Sequence, residues 1–95
     1  MPAYLISTIE ITDPAGYEEY RKLVAPALQQ YGGRFIVRGG PVHHLEGQWQ
    51  PRRVVVVEFD SVERAKAFSD APEYAQAKAI RHRTSNSSVI VVEGV

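Results

Sequence analysis

The chain contains no cysteine, which removes disulfide bonds, thiolate nucleophiles and iron–sulfur ligation from its chemistry. Net charge is missing too, since 11 lysines and arginines balance 11 aspartates and glutamates. That balance gives no bulk attraction to nucleic acid or anionic lipid. Apolar runs such as Val54–Val57 are far too short to cross a bilayer. Met1-Pro2-Ala3-Tyr4 is not a charged segment leading into a long apolar stretch, so no signal peptide is expected and a cytoplasmic location is. Gly32-Gly33 and Gly39-Gly40 fit neither a Walker loop nor a dinucleotide fingerprint, and Ser85–Ser88 has no nucleophile-elbow context. No cofactor is expected.

What remains is 95 residues, 44% of them apolar and 23% charged, enough for one domain over 1–95. A domain of this size buries only about 60–65% of its unfolded surface, so burial against a second copy would add to a modest core.

β-Branched and aromatic residues over 3–11 predict a strand. Asp13 and Pro14 suit the cap and first position of a helix. In it Tyr17, Tyr20, Val24, Ala27, Leu28 and Tyr31 form an apolar stripe. Pro26 is expected to kink or break that helix, and Gly32-Gly33 to end it. Residues 34–38 predict a second strand, with Val42–Leu45 resuming the pairing beyond a bulge or bend at Gly39-Gly40-Pro41. Gly47–Pro51 reads as a turn and 53–59 as the clearest strand. Ser61 caps a second helix, Pro72 splits it, and Asp70 is placed to cap the further piece. Val89–Glu93 closes the chain as a strand. This β-α-β-β-α-β order predicts a ferredoxin-like α+β fold, a four-stranded antiparallel sheet with the helices on one face.

The first sheet face then carries Leu5, Ile9, Phe35, Val37, Val55, Val57 and Phe59 toward the helices. The other carries Tyr4, Ile6, Thr8, Glu10, Ile36, Arg38, Val54, Val56 and Glu58, extended by Ile90 and Val92. That second face is too apolar to leave in water, so a homodimer through it is expected, enclosing a small-molecule pocket. Glu10, Arg38 and Glu58 would line the pocket, or Arg38 and Glu58 would pair and set the dimer register.

Acid–base chemistry has candidates in Glu58, Glu46 or a histidine, each tunable toward neutrality by desolvation, with Arg38 a further catalytic candidate. Tyr17, Tyr20 and Tyr74 could donate hydrogen bonds to a carbonyl or enolate, although such spacing also suits core tyrosines with a wet hydroxyl. Arg81 could bind a substrate carboxylate, or with His82 and Arg83 simply favour a helix C-terminus. His44 and Glu46 would project together from a strand, next to His43, but two such ligands need a third from elsewhere, and no metal is expected. RNA-recognition domains share this strand order. Here Arg53 stands where their glycine belongs, and Val54 and Val56 occupy their aromatic positions, so the sheet has no stacking platform and nucleic acid is excluded as a partner.

Several motifs recur together in one bacterial family. They are Thr12-Asp13-Pro14 with Tyr17 and Tyr20, Gly32-Gly33-Arg34-Phe35, Arg38-Gly39-Gly40, Leu45-Glu46-Gly47, Glu58-Phe59-x-Ser61, Pro72-Glu73-Tyr74, Arg81 and Val92-Glu93-Gly94. In these the chain resembles domain of unknown function 1330 over essentially its whole length. Asp60, Phe68 and Ala71 depart from that pattern as packing and capping changes, and His43-His44 lies outside it. The resemblance implies a dimeric α/β-barrel. That superfamily also holds cofactor-independent monooxygenases, muconolactone-isomerase-like enzymes and haem-binding relatives. It brings no established activity. The expectation is a cofactor-independent isomerase or monooxygenase-like enzyme for a small organic molecule, or a non-catalytic ligand-binding or stress-associated dimer.

Overall fold

The computed structural model describes residues 1–95. Its elements are β1 (Ala3–Ile11), α1 (Pro14–Gln30), β2 (Arg34–Arg38), β3 (Arg53–Phe59), α2 (Val62–Ser69), α3 (Pro72–Thr84) and β4 (Ser85–Glu93). The four strands lie in the order β2-β3-β1-β4, every neighbouring pair antiparallel. This is the ferredoxin-like βαββαβ arrangement, with its second helical region divided in two.

Burial along β1 alternates, with Ala3, Leu5, Ser7 and Ile9 buried and Tyr4, Ile6 and Thr8 half-buried. One face of the sheet is therefore covered by helices and the other is open. The covered side gathers Val55, Val57 and Phe59 from β3, Val24 and Leu28 from α1, and Phe68, Tyr74 and Ala77 from α2 and α3. Phe59, Phe68 and Tyr74 stack in series, at 5.7 and 4.3 Å between ring centroids.

Asp13 caps α1, its carboxylate accepting from the Gly16 amide at 3.2 Å. At the other end Gly32 turns with φ +77°, and the Gly33 and Gly32 amides donate to the Leu28 and Gln29 carbonyls, a Schellman closure that needs glycine at the left-handed position. Pro26 does not break the helix, which runs unbroken to Gln30. Pro26 and Lys22, whose carbonyl the proline leaves without its helical partner, are both exposed.

Ser61 caps α2 as expected, accepting from the Arg64 amide at 3.2 Å. Asp70, by contrast, ends α2, and Ala71 occupies the cap position of α3 without a side-chain hydrogen bond. The proline at 72 holds Ala71 extended, which moves the start of α3 one residue beyond the aspartate. β4 begins at Ser85, directly after α3 and earlier than its apolar stretch suggests.

Two further expectations are overturned near β2. The register slips between Phe35 and Val37, so that Phe35 faces Val57, Val37 faces Val56 and Arg38 faces Val55. A bulge at Ile36 inserts one residue and reverses the facing of all that follows. Val37 thus belongs to the open face and Arg38 to the helix side, the reverse of simple alternation. Val42–Leu45 does not resume the strand, because 40–52 carries no regular structure. Gly39 turns the chain at φ +73°, and Pro41 has no amide to give to a ladder.

Candidate functional site

Between the sheet and the helices lies a cavity of about 450 Å³. Leu5, Ser7, Phe35, Val55 and Val57 form its floor, α1 contributes Tyr20, Val24 and Leu28, and α3 contributes Tyr74, Lys78 and Arg81. Two other spaces, of about 580 and 690 Å³, border residues 42–52. Their walls are mostly exposed side chains, so they are surface grooves. A partly open, largely apolar cleft with a few convergent polar groups is the kind that holds small molecules.

Arg81 is the most unusual of those groups. It is 5% exposed, yet none of the four ion pairs of the chain includes it. Nη1 donates to Ser87 Oγ at 3.1 Å, and Nη2 lies 3.2 Å from His82 Nε2. Nε is buried with no hydrogen-bond partner. Burying a cation without a counter-charge costs several kcal/mol, about what a well-placed carboxylate would return. Lys78 is half-buried, its Nζ on the Ser69 carbonyl at 3.1 Å.

Beside the arginine the Tyr20 and Tyr74 hydroxyls meet at 2.9 Å. One proton is used between them, which leaves the other for a ligand. Burial, then the neighbouring Tyr74, pushes the Tyr20 hydroxyl far above the usual tyrosine range, so it remains a donor at any physiological pH. Tyr17 is 2% exposed, with its ring 5.2 Å from that of Tyr20. Its hydroxyl is also raised by burial, against the opposing influence of Arg53 and Arg81. The cavity can therefore fix an anionic or carbonyl oxygen at one end and an apolar body along its length.

The family description "Domain of unknown function (DUF1330)" matches residues 2–95. The chain belongs to this family. No curated protein matches it. Among solved structures, the DUF1330 chain is similar to a protein of unknown function from Rhodopseudomonas palustris, with 18% identity, a TM-score of 0.80 and coverage of 99% of this chain and 82% of that one. A dimeric ferredoxin-like protein of unknown function from Jannaschia sp. CCS1 is 12% identical with a TM-score of 0.73, covering 99% and 100%. SnoaB, a cofactor-independent oxygenase from Streptomyces nogalater, is 11% identical with a TM-score of 0.65, covering 99% and 93%. At these identities the likeness concerns the fold.

The residues singled out from the DUF1330 sequence are divided by the sheet. Tyr17, Arg38 and Arg81 lie on the helix side, while Glu10 and Glu58 lie on the open face. The expected Arg38–Glu58 pair does not form, because the bulge carries Arg38 away, its guanidinium 4.2 Å from the Phe35 ring centroid. Glu58 instead binds Arg34 at 2.8 Å and accepts from the Tyr4 hydroxyl at 3.2 Å. The Arg34 hydrogen bond holds its carboxyl below the usual range, against desolvation. That makes it a settled carboxylate, not a base tuned toward neutrality. Glu10 is exposed and lies 3.6 Å from Arg52. Glu46, His43 and His44 are exposed in the irregular segment. His44 Nε2 lies 2.6 Å from the Gly47 carbonyl, and no three His, Asp or Glu side chains cluster anywhere.

Lys78 in the cavity wall and Arg53 near Tyr17 escaped the sequence reading. Arg53 shares the inward parity of Val55, Val57 and Phe59, and Lys78 falls between Tyr74 and Arg81 at helical spacing. Each broke an otherwise apolar or aromatic series, and that was the available signal.

The Glu58 geometry has a measurable consequence. A carboxyl whose folded-state pKa is depressed adds stability above its unfolded pKa and loses it as pH falls through the folded value. Glu58→Gln is therefore expected to lower the urea midpoint at pH 7. The gap to the native protein should close below about pH 4, the usual carboxyl range. A gap of equal size at both ends would contradict the pairing.

Proposed function

We propose that this DUF1330 protein is a homodimer, joined through its open sheet faces, that binds a small and mostly apolar organic acid between the sheet and the helices. The carrying observation is the buried Arg81 guanidinium, which has no carboxylate partner and borders an apolar cavity. A ligand carboxylate would supply the missing counter-charge, and the tyrosine pair would supply a hydrogen bond. Dimerisation is supported by the open face, where Ile36, Val37, Ile90 and Val92 are 53%, 40%, 56% and 44% exposed, and by the dimeric description of similar structures.

A catalytic version of this reading rests on the same groups. A guanidinium beside a tyrosine hydroxyl stabilises an enolate or phenolate as well as a carboxylate, which is what a cofactor-independent isomerase or oxygenase needs. SnoaB bears the second description. The cavity lining contains one carboxylate, the exposed Asp70, so binding is the better-supported half.

Native mass spectrometry followed by calorimetric titration with hexanoate tests both parts. The expected result is a dimer mass and saturable binding. A monomer at micromolar concentration would overturn the open-face interface, and no heat up to millimolar acid would overturn the pocket. Binding together with conversion of an enolisable or phenolic acid would favour the catalytic version.

A further inference from the structure

Arg81 is not the only guanidinium without a counter-ion on the helix side of the sheet. Beyond Tyr20 the covered space continues into a small chamber of about 30 Å³, bordered by Tyr17, Arg38 and Arg53. Ser7, Tyr20, Val24, Phe35 and Val55 line both this chamber and the main cavity, so the two adjoin along one wall. The chamber exceeds the roughly 10–15 Å³ that one water requires, which gives room for the oxygens of a carboxylate.

No Asp or Glu lines the chamber. Neither Arg38 nor Arg53 takes part in an ion pair, and Arg21 at the rim is already paired with Glu18 at 3.1 Å. Arg53 Nε is buried without a hydrogen-bond partner, repeating the condition of Arg81 Nε. The Arg53 guanidinium is 5.9 Å from the Tyr17 ring centroid. It lies in the space that a Cβ on Gly39 would fill, and Gly39 also has a positive φ of 73°. The glycine thus serves a left-handed turn and leaves the guanidinium its position. Arg38 reaches the same chamber because of the bulge, stacked at 4.2 Å on Phe35.

We infer that the ligand is a diacid, with one carboxylate on Arg81, an apolar middle along the shared wall, and a second carboxylate received by Arg53 and Arg38. The inference rests on the organic-acid reading above and adds the second anionic group. Planar guanidinium groups suit this role because they bind carboxylates through paired N–H donors.

The test is calorimetric titration of the native protein with straight-chain dicarboxylates from succinate to sebacate, each compared with the monocarboxylate of equal length at physiological salt. One diacid length is expected to bind about ten- to hundred-fold tighter than its monoacid, the contribution of a charge-assisted contact. Arg53→Gln should remove most of that preference, and Arg38→Gln, an exposed side chain whose loss leaves the core untouched, should reduce it. Equal binding of diacids and monoacids at every length would overturn the inference and leave the Arg81 site standing. So would an Arg53→Gln variant that weakens both classes in proportion. Failure of both classes to bind would overturn the organic-acid reading as well.

Discussion

Arg81→Met is expected to melt at a higher temperature than the native protein and to lose organic-acid binding. The native side chain holds a charge at 5% exposure, with Nε unpartnered and no carboxylate to offset it. Methionine has similar length, adapts to irregular space and brings no charge. Replacing buried ionic groups with well-packed apolar ones of similar volume is neutral or stabilises proteins by about 1–4 kcal/mol. For a domain of this size each kcal/mol moves the melting temperature by roughly 4–8 °C. The lost bond to Ser87 at 3.1 Å reduces the gain without reversing it, since Ser87 is half-buried and can turn to water. Differential scanning calorimetry and acid titration on the same samples read both effects. A variant that melts lower and still binds acid would mean that Arg81 is a packing residue.

Ile6→Lys is expected to convert the proposed open-face dimer into a monomer. Ile6 sits at the centre of the open face, paired with Val56 on one side and Ile90 on the other. In a free monomer a lysine there reaches water at little cost. Across a two-fold interface every association buries two such ammonium groups with no carboxylate nearby, because Glu58 is engaged by Arg34 and Glu10 lies at the far end of β1. At several kcal/mol per buried ion, doubled by symmetry, the dissociation constant rises by more than about a thousand-fold. Sedimentation velocity at micromolar concentration checks this. An intact dimer would move the interface to another surface.

The strand and helix order was readable because local signals agreed with tertiary demand. Alternation in β1, the Asp13-Pro14 start and the glycine pair after Tyr31 each have a single local solution. The errors arose where one residue's placement depends on a partner far away in sequence. Whether Val42–Leu45 pairs depends on an available strand edge, and four apolar or imidazole side chains do not create one. Asp70 could cap or close a helix, and the choice belonged to Pro72. The site was readable in its residue types, since Tyr17, Tyr20, Tyr74 and Arg81 were all candidates. Its location was not. Burial of Arg81 follows from packing α3 against β4 and α1, and no spacing within α3 reports on that.

The bulge at Ile36 makes β2 a parity device. Whether one residue here is bulged out or paired decides which side of the sheet receives a positive charge. Pairing the same residues without the bulge would send the guanidinium to the outer surface and return Val37 to the interior. Composition would not change, yet a cation would have crossed the sheet. When DUF1330 chains are compared, a single-residue gap at this point therefore removes the bulge and leaves the arginine on the same side, whereas a strand of equal length without the bulge moves it. Two chains of equal length here, one bulged and one regularly paired, should differ in the charge they offer to whatever enters the cavity.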